Sequence, residues 1–295
     1  MDFYELRSII KYESQKGTFE QSSALLQSKI FALSKTDIIP IITEIGAIPE
    51  DIGHDSSEEK LYAKVSDIVL AKCFQELGLR STVTKERINC ADVVARSQFH
   101  NYSLVGDAKS FRLSRTAKNQ KDFKVKSMAD WKGNNDYSVL VCPYYQYPKR
   151  TSQIYGQALN ENVTLFSWEY FSILLENNIS ENEERNISEL WNICLKISDT
   201  INHAERNASF LFRQDEIIRL FLAIDTIQFS EYFKKFKTNI IIRGESEIKF
   251  WEDKIVKIKQ YTREQAINEL LSSLKLNEKI SAIKNYITSL KEAQE

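Results

Sequence analysis

Two aspartates and a lysine near the middle of the chain are of the types that hold a divalent cation beside a phosphate. Asp92 opens a short apolar run, Asp92–Arg96, while Asp107 and Lys109 close a second run, Tyr102–Ala108. Residues two apart in a strand point to the same face, so Asp107 and Lys109 should project together. If the two runs pair as antiparallel strands, Asp92 should lie beside them. Two carboxylates so close favour a hard cation with oxygen ligands, usually Mg²⁺.

The segment that follows, residues 110–126, is strongly basic. Its cationic side chains are Arg112, Arg115, Lys118, Lys121, Lys124 and Lys126, against the single acid Asp122. A lysine beside a metal can hold or deprotonate a water and offset charge on a phosphate. Metal-binding acids followed at once by phosphate-seeking cations therefore indicate a nuclease. The alternative is that the acids are solvated turn residues and that the cations form a solvated face.

The side-chain types of the basic segment also predict how it would contact DNA. Arg and Lys neutralise phosphates or donate to guanine, and Asn and Gln pair with adenine through two hydrogen bonds. Ser114 is predicted to cap a helix that begins at Arg115, and a helix N-terminus binds phosphate well. The predicted DNA-binding residues are Arg112, Arg115, Ala117, Lys118, Asn119, Lys121 and Lys124.

A second arrangement of catalytic residues remains open. Asp122 and Lys124 form another Asp-x-Lys pair, and Asp107 would then be the first acid. We prefer Asp92, Asp107 and Lys109, because Asp107 ends a hydrophobic strand pattern. Asp122 lies in a polar stretch that is predicted to be helical, where positions two apart diverge by about 200°.

The elements that must position these residues alternate between helix and strand, which indicates an α/β fold. Residues 1–45 are predicted to be helical, with a third helix starting near Pro40 and stopping at Gly46. A strong helix should start at Ser56 or Ser57 and end near Gly78. Further strands are predicted at Asp136–Cys142 and Val163–Trp168, and further helices at Gln153–Leu159 and Glu169–Leu175.

The sequence divides into three parts by composition. We expect an N-terminal helical layer at 1–50, a core at 51–177 and a helical C-terminal subdomain at 178–295. In the last part, apolar stripes such as Ile248, Trp251, Ile255 and Ile258 are interpreted as core rather than as a base-stacking platform. The subdomain could complete a dimer or contact DNA.

Composition excludes several classes of protein. The chain has 295 residues and a net charge of −1, so any affinity for DNA must come from local patches. Its four cysteines are too sparse for a disulfide framework and lack metal-ligand spacing, so we expect free thiols. We see no signal peptide and no membrane-length apolar run, so the protein is expected in the cytoplasm.

The same central residues carry a resemblance to a known family. The pattern Asp92…Asp107-Ala108-Lys109 resembles the PD-(D/E)xK nucleases, and Gly106 to Lys126 is similar to type II restriction endonucleases that cleave AAGCTT. Further similarity lies at Glu59–Leu61, Asp67–Lys72, Gln146–Pro148, Ser152–Ile154, Asn162–Val163 and Phe166–Glu169. The similarity covers the middle third of the chain or more, and it is weakest before residue 40 and after about residue 195.

The resemblance implies a fold and a reaction. It implies a three-layer restriction-endonuclease-like core with a mixed sheet, N-terminal helices and a helical C-terminal subdomain. It also implies Mg²⁺-dependent cleavage after the first A of AAGCTT, with four-base 5′ extensions and with Mn²⁺ able to replace Mg²⁺. Asp92, Asp107 and the Ala108 carbonyl would bind metal, Lys109 would act on the water, and Glu59 would be a secondary acid.

The resemblance further implies partners and a setting. A palindromic target fits a homodimer, and a bacterial host with a cognate DNA methyltransferase is expected. The alternative reading is a DNA-binding protein with an inactive or regulatory nuclease fold. A helical scaffold with incidental acids is a third option, and it predicts no salt-dependent affinity for DNA.

Overall fold

A five-stranded mixed sheet lies at the centre of the chain. The computed structural model describes residues 1–84, 90–115, 120–148, 152–198 and 206–292. Its strands are β1 (Arg80–Val83), β2 (Val93–Arg96), β3 (Ser103–Ala108), β4 (Tyr137–Cys142) and β5 (Val163–Ser167). They lie side by side in chain order; β1, β2 and β3 pair antiparallel, and β3, β4 and β5 pair parallel. The predicted α/β fold with a mixed sheet is confirmed.

Helices precede, cover and follow the sheet. They are α1 (Phe3–Lys16), α2 (Phe19–Phe31), α3 (Lys35–Ile45), α4 (Ser57–Glu76), α5 (Gln120–Phe123), α6 (Val125–Lys132), α7 (Gln153–Glu161), α8 (Trp168–Glu176), α9 (Ile193–Ser198), α10 (Arg206–Leu222), α11 (Thr226–Lys259), α12 (Arg263–Ser273) and α13 (Leu276–Glu292). The parallel strands need crossover connections, and α5, α6 and α7 supply them.

Helix α4 is the main helix that packs on the antiparallel part of the sheet. Ser56 caps it as predicted, with Glu58 and Glu59 in its first turn. It contacts β1, β2 and β3. A Cβ built on Gly106 of β3 would lie 3.1 Å from side-chain atoms of both Leu70 and Phe74. Glycine at this position therefore lets the helix approach the central strand closely.

The start of α3 differs from the sequence prediction. The helix begins at Lys35 rather than near Pro40, because the Ser34 side chain accepts a hydrogen bond from the Asp37 backbone and caps the first turn. Pro40 is therefore inside the helix. The predicted stop is correct, since Gly46 is the C-cap of α3.

Gly46 lies where the N-terminal helices meet the sheet end that carries the predicted site. A Cβ at this position would lie 2.4 Å from Pro143 Cγ and 2.6 Å from Trp168 Cδ1. Its carbonyl accepts a hydrogen bond from Phe111 N at 3.1 Å. The contact joins the end of α3 to the segment that follows β3.

The chain forms two compact units, Met1–Arg243 and Gly244–Glu295, and the boundary falls within α11. The first unit holds the sheet and the hydrophobic core. In the second unit the stripe interpreted from sequence as core is solvent-exposed; Ile248 is 59% exposed and Trp251 is 40% exposed. That interpretation was wrong, because an amphipathic pattern shows that a face is apolar but not what covers it. The three-part division predicted from composition stays a prediction.

Two expectations about sequence class can be compared with the structure. No disulfide joins the four cysteines, all of which lie within the described residues; Cys73, Cys142 and Cys194 are buried and Cys90 is half-buried. Within the described ranges, no helix combines the length and the apolar character that a membrane crossing needs.

The close approach at Gly46 predicts a stability effect. Gly46→Ala should lower the free energy of unfolding by about 1–3 kcal/mol, because the added methyl meets two ring side chains. Unfolding by urea, followed by circular dichroism, measures the change.

Gly156→Ala is the matched control. Gly156 lies inside α7, and a Cβ there would meet no atom within 4 Å. This change should leave stability equal or raise it, since alanine favours a helix by about 1 kcal/mol over glycine. A Gly46→Ala variant as stable as Gly156→Ala would contradict the packing argument.

Candidate active site

The register of the first three strands brings the two predicted acids together. Val93 of β2 faces Gly106 of β3 in the antiparallel pair. Asp92, which precedes Val93, therefore lies opposite Asp107, which follows Gly106. Directly opposed residues on neighbouring strands have Cβ atoms about 5 Å apart. Asp107 is buried, whereas Asp92 is half-buried. The sequence prediction that the two acids would be adjacent is consistent with this register.

A third carboxylate, that of Asp67 in α4, completes the cluster. Asp67, Asp92 and Asp107 each offer an oxygen, and these atoms all lie within 4.8 Å of one another. From sequence, Asp67 lies in a segment that resembles the nuclease family, Asp67–Lys72, but it was not named as a site residue. The signal that could have identified it is position, because Asp67 lies in the middle of a helix whose neighbouring residues, Val65 to Phe74, are all buried. A carboxylate in such a buried stretch is rare unless it is paired with other groups.

Burial and the closeness of neighbouring acids raise the pKa values of Asp67 and Asp92. The pKa of Asp67 is raised well above its usual value by burial and by the charges of Asp92 and Asp107. The pKa of Asp92 is raised to about 6 by burial and by its hydrogen bond and charge interaction with Asp107. Like charges held together in a low dielectric favour the protonated form or a bound cation.

Two lysines partly offset this negative charge. Lys109 Nζ forms an ion pair with Asp107 Oδ2. Burial lowers the pKa of Lys109, but Asp107, Asp67 and Asp92 outweigh burial, so its pKa is raised and the side chain is an ammonium. Lys64 of α4 lies 3.8 Å from Asp92 Oδ1, and it donates to the Thr84 carbonyl at 3.1 Å. Lys64 was not predicted as a site residue, although it lies three residues before Asp67 on one helix face.

These residues fit a divalent metal with oxygen ligands. The donors are carboxylates, which suit Mg²⁺ or Mn²⁺ rather than a metal that prefers thiolate ligands. Three acids meet at one point with two lysines nearby, so a dication there would offset both the burial and the repulsion that raise the pKa values of Asp67 and Asp92. The arrangement can also place an ammonium, that of Lys109, beside the metal.

The secondary acid predicted from sequence, Glu59, lies in a different group. Its carboxylate is 2.5 Å from Arg112 Nη2 and accepts a hydrogen bond from Asp55 N at 2.7 Å. With His54 and Asp55 it forms a second group of possible metal ligands, separate from the Asp67 cluster. The structure thus joins Glu59 to the start of the basic segment.

The first residues of the basic segment are held against the N-terminal part of the chain. Arg112 donates from Nη1 to the Pro49 carbonyl at 2.8 Å. The buried Glu50 accepts hydrogen bonds from both the backbone and the hydroxyl of Ser114, each at 2.9 Å. Ser114 therefore does not cap a helix at Arg115, as the sequence had suggested. Arg115 lies outside helical structure, and the described helix begins at Gln120.

The rest of the predicted DNA-binding set is only partly described. Arg115 forms an ion pair with Asp122, and Lys121 and Lys124 are exposed. Ala117, Lys118 and Asn119 lie outside the described residues. Asp122 and Lys124, which belong to the alternative catalytic arrangement, are not members of the carboxylate cluster around Asp107.

Comparisons with known proteins agree with this fold and site. The family profile for the HindIII restriction endonuclease matches residues 9–287. The chain is 41% identical, over 273 residues, to the type II restriction enzyme HindIII of Haemophilus influenzae, a match that covers 92% of this chain and 91% of that protein. The similarity reaches well beyond the central region identified from sequence.

Fold, site and comparisons together define the class as the type II restriction endonucleases, which are site-specific DNA hydrolases. Within that class, the chain belongs to the HindIII restriction endonuclease family.

The crowding of the acids predicts a stability effect without metal. The folded pKa of Asp92 is about 6, above the usual 3.8, so ionising Asp92 costs folding free energy, and that cost grows as pH rises from 3.8 to 6 and is fully present above 6. Asp92→Asn should therefore stabilise the metal-free protein at pH 8 by about 1 kcal/mol, after allowance for solvent screening. Urea unfolding in EDTA at pH 8 and at pH 4 measures the difference.

The pH 4 measurement is the internal control, since Asp92 is then protonated in the folded protein and the two proteins should differ little. Added Mg²⁺ should stabilise the wild type more than Asp92→Asn. A variant that is less stable than the wild type at pH 8 in EDTA would contradict the proposed charge repulsion.

Proposed function

We propose that this chain makes metal-dependent double-strand cuts in DNA at the palindrome AAGCTT, after the first A, leaving four-base 5′ extensions. The observation that carries the proposal is the group of three carboxylates with Lys109 at the end of β3, in a member of the HindIII family. The target and the ends are those implied by the similarity of the segment Gly106–Lys126 to enzymes that cleave AAGCTT.

Asp92, Asp107 and the backbone carbonyl of Ala108 are the proposed metal-binding groups, with Mg²⁺ as the cation and Mn²⁺ as a substitute. Asp67 joins them because its carboxylate lies within the same cluster. A cation bound there would supply Lewis acidity, which lowers the pKa of a water and stabilises the charge that develops on the phosphate. The carboxylates fix its position, because each comes from a different element of the fold.

Lys109 is proposed to orient the attacking water and to balance charge on the phosphate. Its ammonium lies against Asp107, and the neighbouring acids keep it protonated. Lys64 approaches the same acids from α4 and can share the electrostatic part of this role. Both side chains are mostly buried, so their positive charges act on the reacting phosphate with little screening by water.

Arg112, Arg115, Lys121 and Lys124, with Ala117, Lys118 and Asn119, are the proposed contacts to DNA. The described part of this segment starts directly after Lys109, so a strand of DNA bound along it would pass the carboxylate cluster. Arg112 already has Glu59 and Pro49 as partners. The first proposed role of Arg112 is therefore to hold the basic segment in place. Glu59 is proposed to position Arg112.

The palindromic target calls for two copies of the chain, each cutting one strand. We propose a homodimer on DNA in a bacterial cytoplasm, with a cognate methyltransferase protecting host sites. These partners follow from the proposed reaction. The alternative is a DNA-binding protein that does not cut, and it would use the same basic segment. The digests described next distinguish the two.

The target is tested by digesting DNA that contains known AAGCTT sites, with Mg²⁺ and with EDTA, and then sequencing the ends. We expect discrete fragments that end after the first A of each site and only with Mg²⁺. Discrete fragments that end at other sites would support metal-dependent cleavage but would reject AAGCTT as the target. Intact DNA at high enzyme concentration and low salt would favour the binding-only reading.

The two catalytic arrangements are separated by a pair of variants. Asp92→Asn should reduce the cleavage rate by roughly a thousandfold, since a metal-binding group supplies several kcal/mol of charge stabilisation. Asp122→Asn should retain cleavage within about tenfold, because Asp122 is paired with Arg115 and outside the cluster. Single-turnover rates on a saturated complex measure both.

Lys109→Gln gives a further check, with an expected loss of about 10²–10⁴-fold in rate and little change in affinity for DNA in the presence of Ca²⁺. If Asp122→Asn abolished cleavage while Asp92→Asn did not, the arrangement of Asp107, Asp122 and Lys124 would be the correct one.

A further inference from the structure

The start of the basic segment, residues 110–114, runs parallel to a short piece of chain between α3 and α4. We call that piece, residues 46–50, the connector. Phe111 forms a parallel bridge with it. The backbone N–H of Phe111 donates to the Gly46 carbonyl at 3.1 Å, and the backbone N–H of Ile48 donates to the Phe111 carbonyl at 3.2 Å. These bonds give the basic segment a fixed register against the connector.

Side chains continue this register to the end of the connector. Arg112 donates from Nη1 to the Pro49 carbonyl at 2.8 Å. Glu50, the next residue, accepts one hydrogen bond from the Ser114 backbone and another from the Ser114 hydroxyl, each at 2.9 Å. Glu50 therefore holds the last part of this contact with both of its carboxylate oxygens.

The connector is itself fixed by close contacts. The buried Tyr62 of α4 donates from its hydroxyl to the Ala47 carbonyl at 3.0 Å. A Cβ on Gly46 would lie 2.4 Å from Pro143 Cγ and 2.6 Å from Trp168 Cδ1, so the packing leaves no free space on that side. A segment bound to the connector is therefore bound to a firm support.

The start of the same contact reaches the helix that carries Asp67. The hydroxyl oxygens of Ser110 and Ser66 lie 2.9 Å apart. Ser66 directly precedes Asp67 in α4, and Ser110 directly follows Lys109. The basic segment is thus fixed beside the carboxylate cluster at Ser110 and against the connector at Ser114.

Burial makes the contact between Glu50 and Ser114 exacting. The side chain of Glu50 is 6% exposed, and a buried carboxylate is costly unless it accepts hydrogen bonds. Hydrogen bonds to a carboxylate are also stronger than those between neutral groups. A displacement of Ser114 would remove two of them together, so the position of Ser114 is sharply defined.

We propose that Glu50 is a positioning residue, which sets the place of the DNA-contacting part of the basic segment relative to the carboxylate cluster and so couples recognition of the target to cleavage. Arg115 follows Ser114 directly and forms an ion pair with Asp122 of α5, the helix that also carries Lys121. A shift of Ser114 would therefore also disturb the contact to that helix.

This inference rests on the proposed function, because it requires that the basic segment contacts DNA and that the cluster cuts it. Readout of bases depends on hydrogen bonds of defined geometry, whereas attraction to phosphates is independent of sequence. Loss of the Glu50 contact should therefore reduce discrimination between sequences and the rate of cleavage, and should affect general affinity for DNA little.

The test compares Glu50→Ala with the wild type on a duplex that contains AAGCTT and on duplexes with one base pair of that site replaced. Binding is measured with Ca²⁺, and single-turnover cleavage is measured with Mg²⁺ at saturating enzyme. Glu50→Ala should cut AAGCTT about a hundredfold more slowly, since a misplacement of about 1 Å can cost that much. Its binding should discriminate at least about tenfold less between the duplexes.

General affinity for DNA is the internal control of that experiment. The slope of log affinity against log salt should stay the same in Glu50→Ala, because the change removes no cation from the phosphate contacts. Lys121→Gln is the comparison, since loss of one phosphate contact should reduce that slope by about one.

Two further variants examine the hydrogen bonds directly. Glu50→Gln should keep its rate and discrimination near those of the wild type, because an amide can accept from the Ser114 backbone and donate to the Ser114 hydroxyl. Ser114→Ala removes only the hydroxyl at an exposed position, so the chain should fold normally while discrimination falls by about tenfold. The effects of Glu50→Ala and Ser114→Ala should not add, because both remove one contact.

Glu181→Ala is the matched control for a general loss of stability. Glu181 is 3% exposed and, like Glu50, accepts hydrogen bonds from a backbone N–H, that of Ile187, and from hydroxyls, those of Ser97 and Tyr102. None of these three residues belongs to the basic segment. Glu181→Ala should lower the free energy of unfolding, measured with urea, but should leave discrimination unchanged.

The outcomes also separate this inference from the proposed function. Discrimination retained in Ser114→Ala, or lost equally in Glu181→Ala and Glu50→Ala, overturns the role of Glu50 and leaves the nuclease. A Glu50→Gln variant as impaired as Glu50→Ala likewise overturns it. A wild type that binds AAGCTT selectively but never cuts rejects the reaction, and binding with Ca²⁺ then still decides whether Glu50 sets the discrimination.

Discussion

The repulsion among three carboxylates held in a small space is the constraint on which the site depends. Asp67 comes from α4, Asp92 from the residue before β2 and Asp107 from β3, and their oxygens lie within 4.8 Å of one another. In the metal-free chain Lys109 and Lys64 offset only part of this repulsion, and the pKa values of Asp67 and Asp92 are raised by burial and by their acidic neighbours. The rest of the core must therefore be stable enough to impose it, and the strain is available to be relieved by a dication.

The surrounding structure serves to hold those acids and the segment after them at fixed positions. Helix α4 approaches β3 closely because Gly106 has no side chain, and this brings Asp67 to the end of the sheet. The segment that follows β3 is fixed in turn to the N-terminal helices, through the Phe111 backbone, Arg112 with Glu59, and Ser114 with Glu50. The carboxylate cluster and the basic segment that follows it thus share one support, which is the arrangement that precise chemistry needs.

The second unit differs from the first in where its apolar side chains lie. The sheet unit buries its apolar residues within itself, whereas Gly244–Glu295 presents them on helix surfaces.

The sequence by itself determined what depends on local spacing. The alternation of apolar residues predicted β2 to β5, the caps predicted α4, and two-residue periodicity at the end of β3 predicted that Asp107 and Lys109 would lie together. What depends on distant contacts could not be predicted in this way. Asp67 was not named as a site residue because its partners are far along the chain, and Ser114 was predicted to be a helix cap because its partner Glu50 belongs to another segment. The same holds for Trp251, since periodicity marks an apolar face but only the assembled structure decides whether that face is covered.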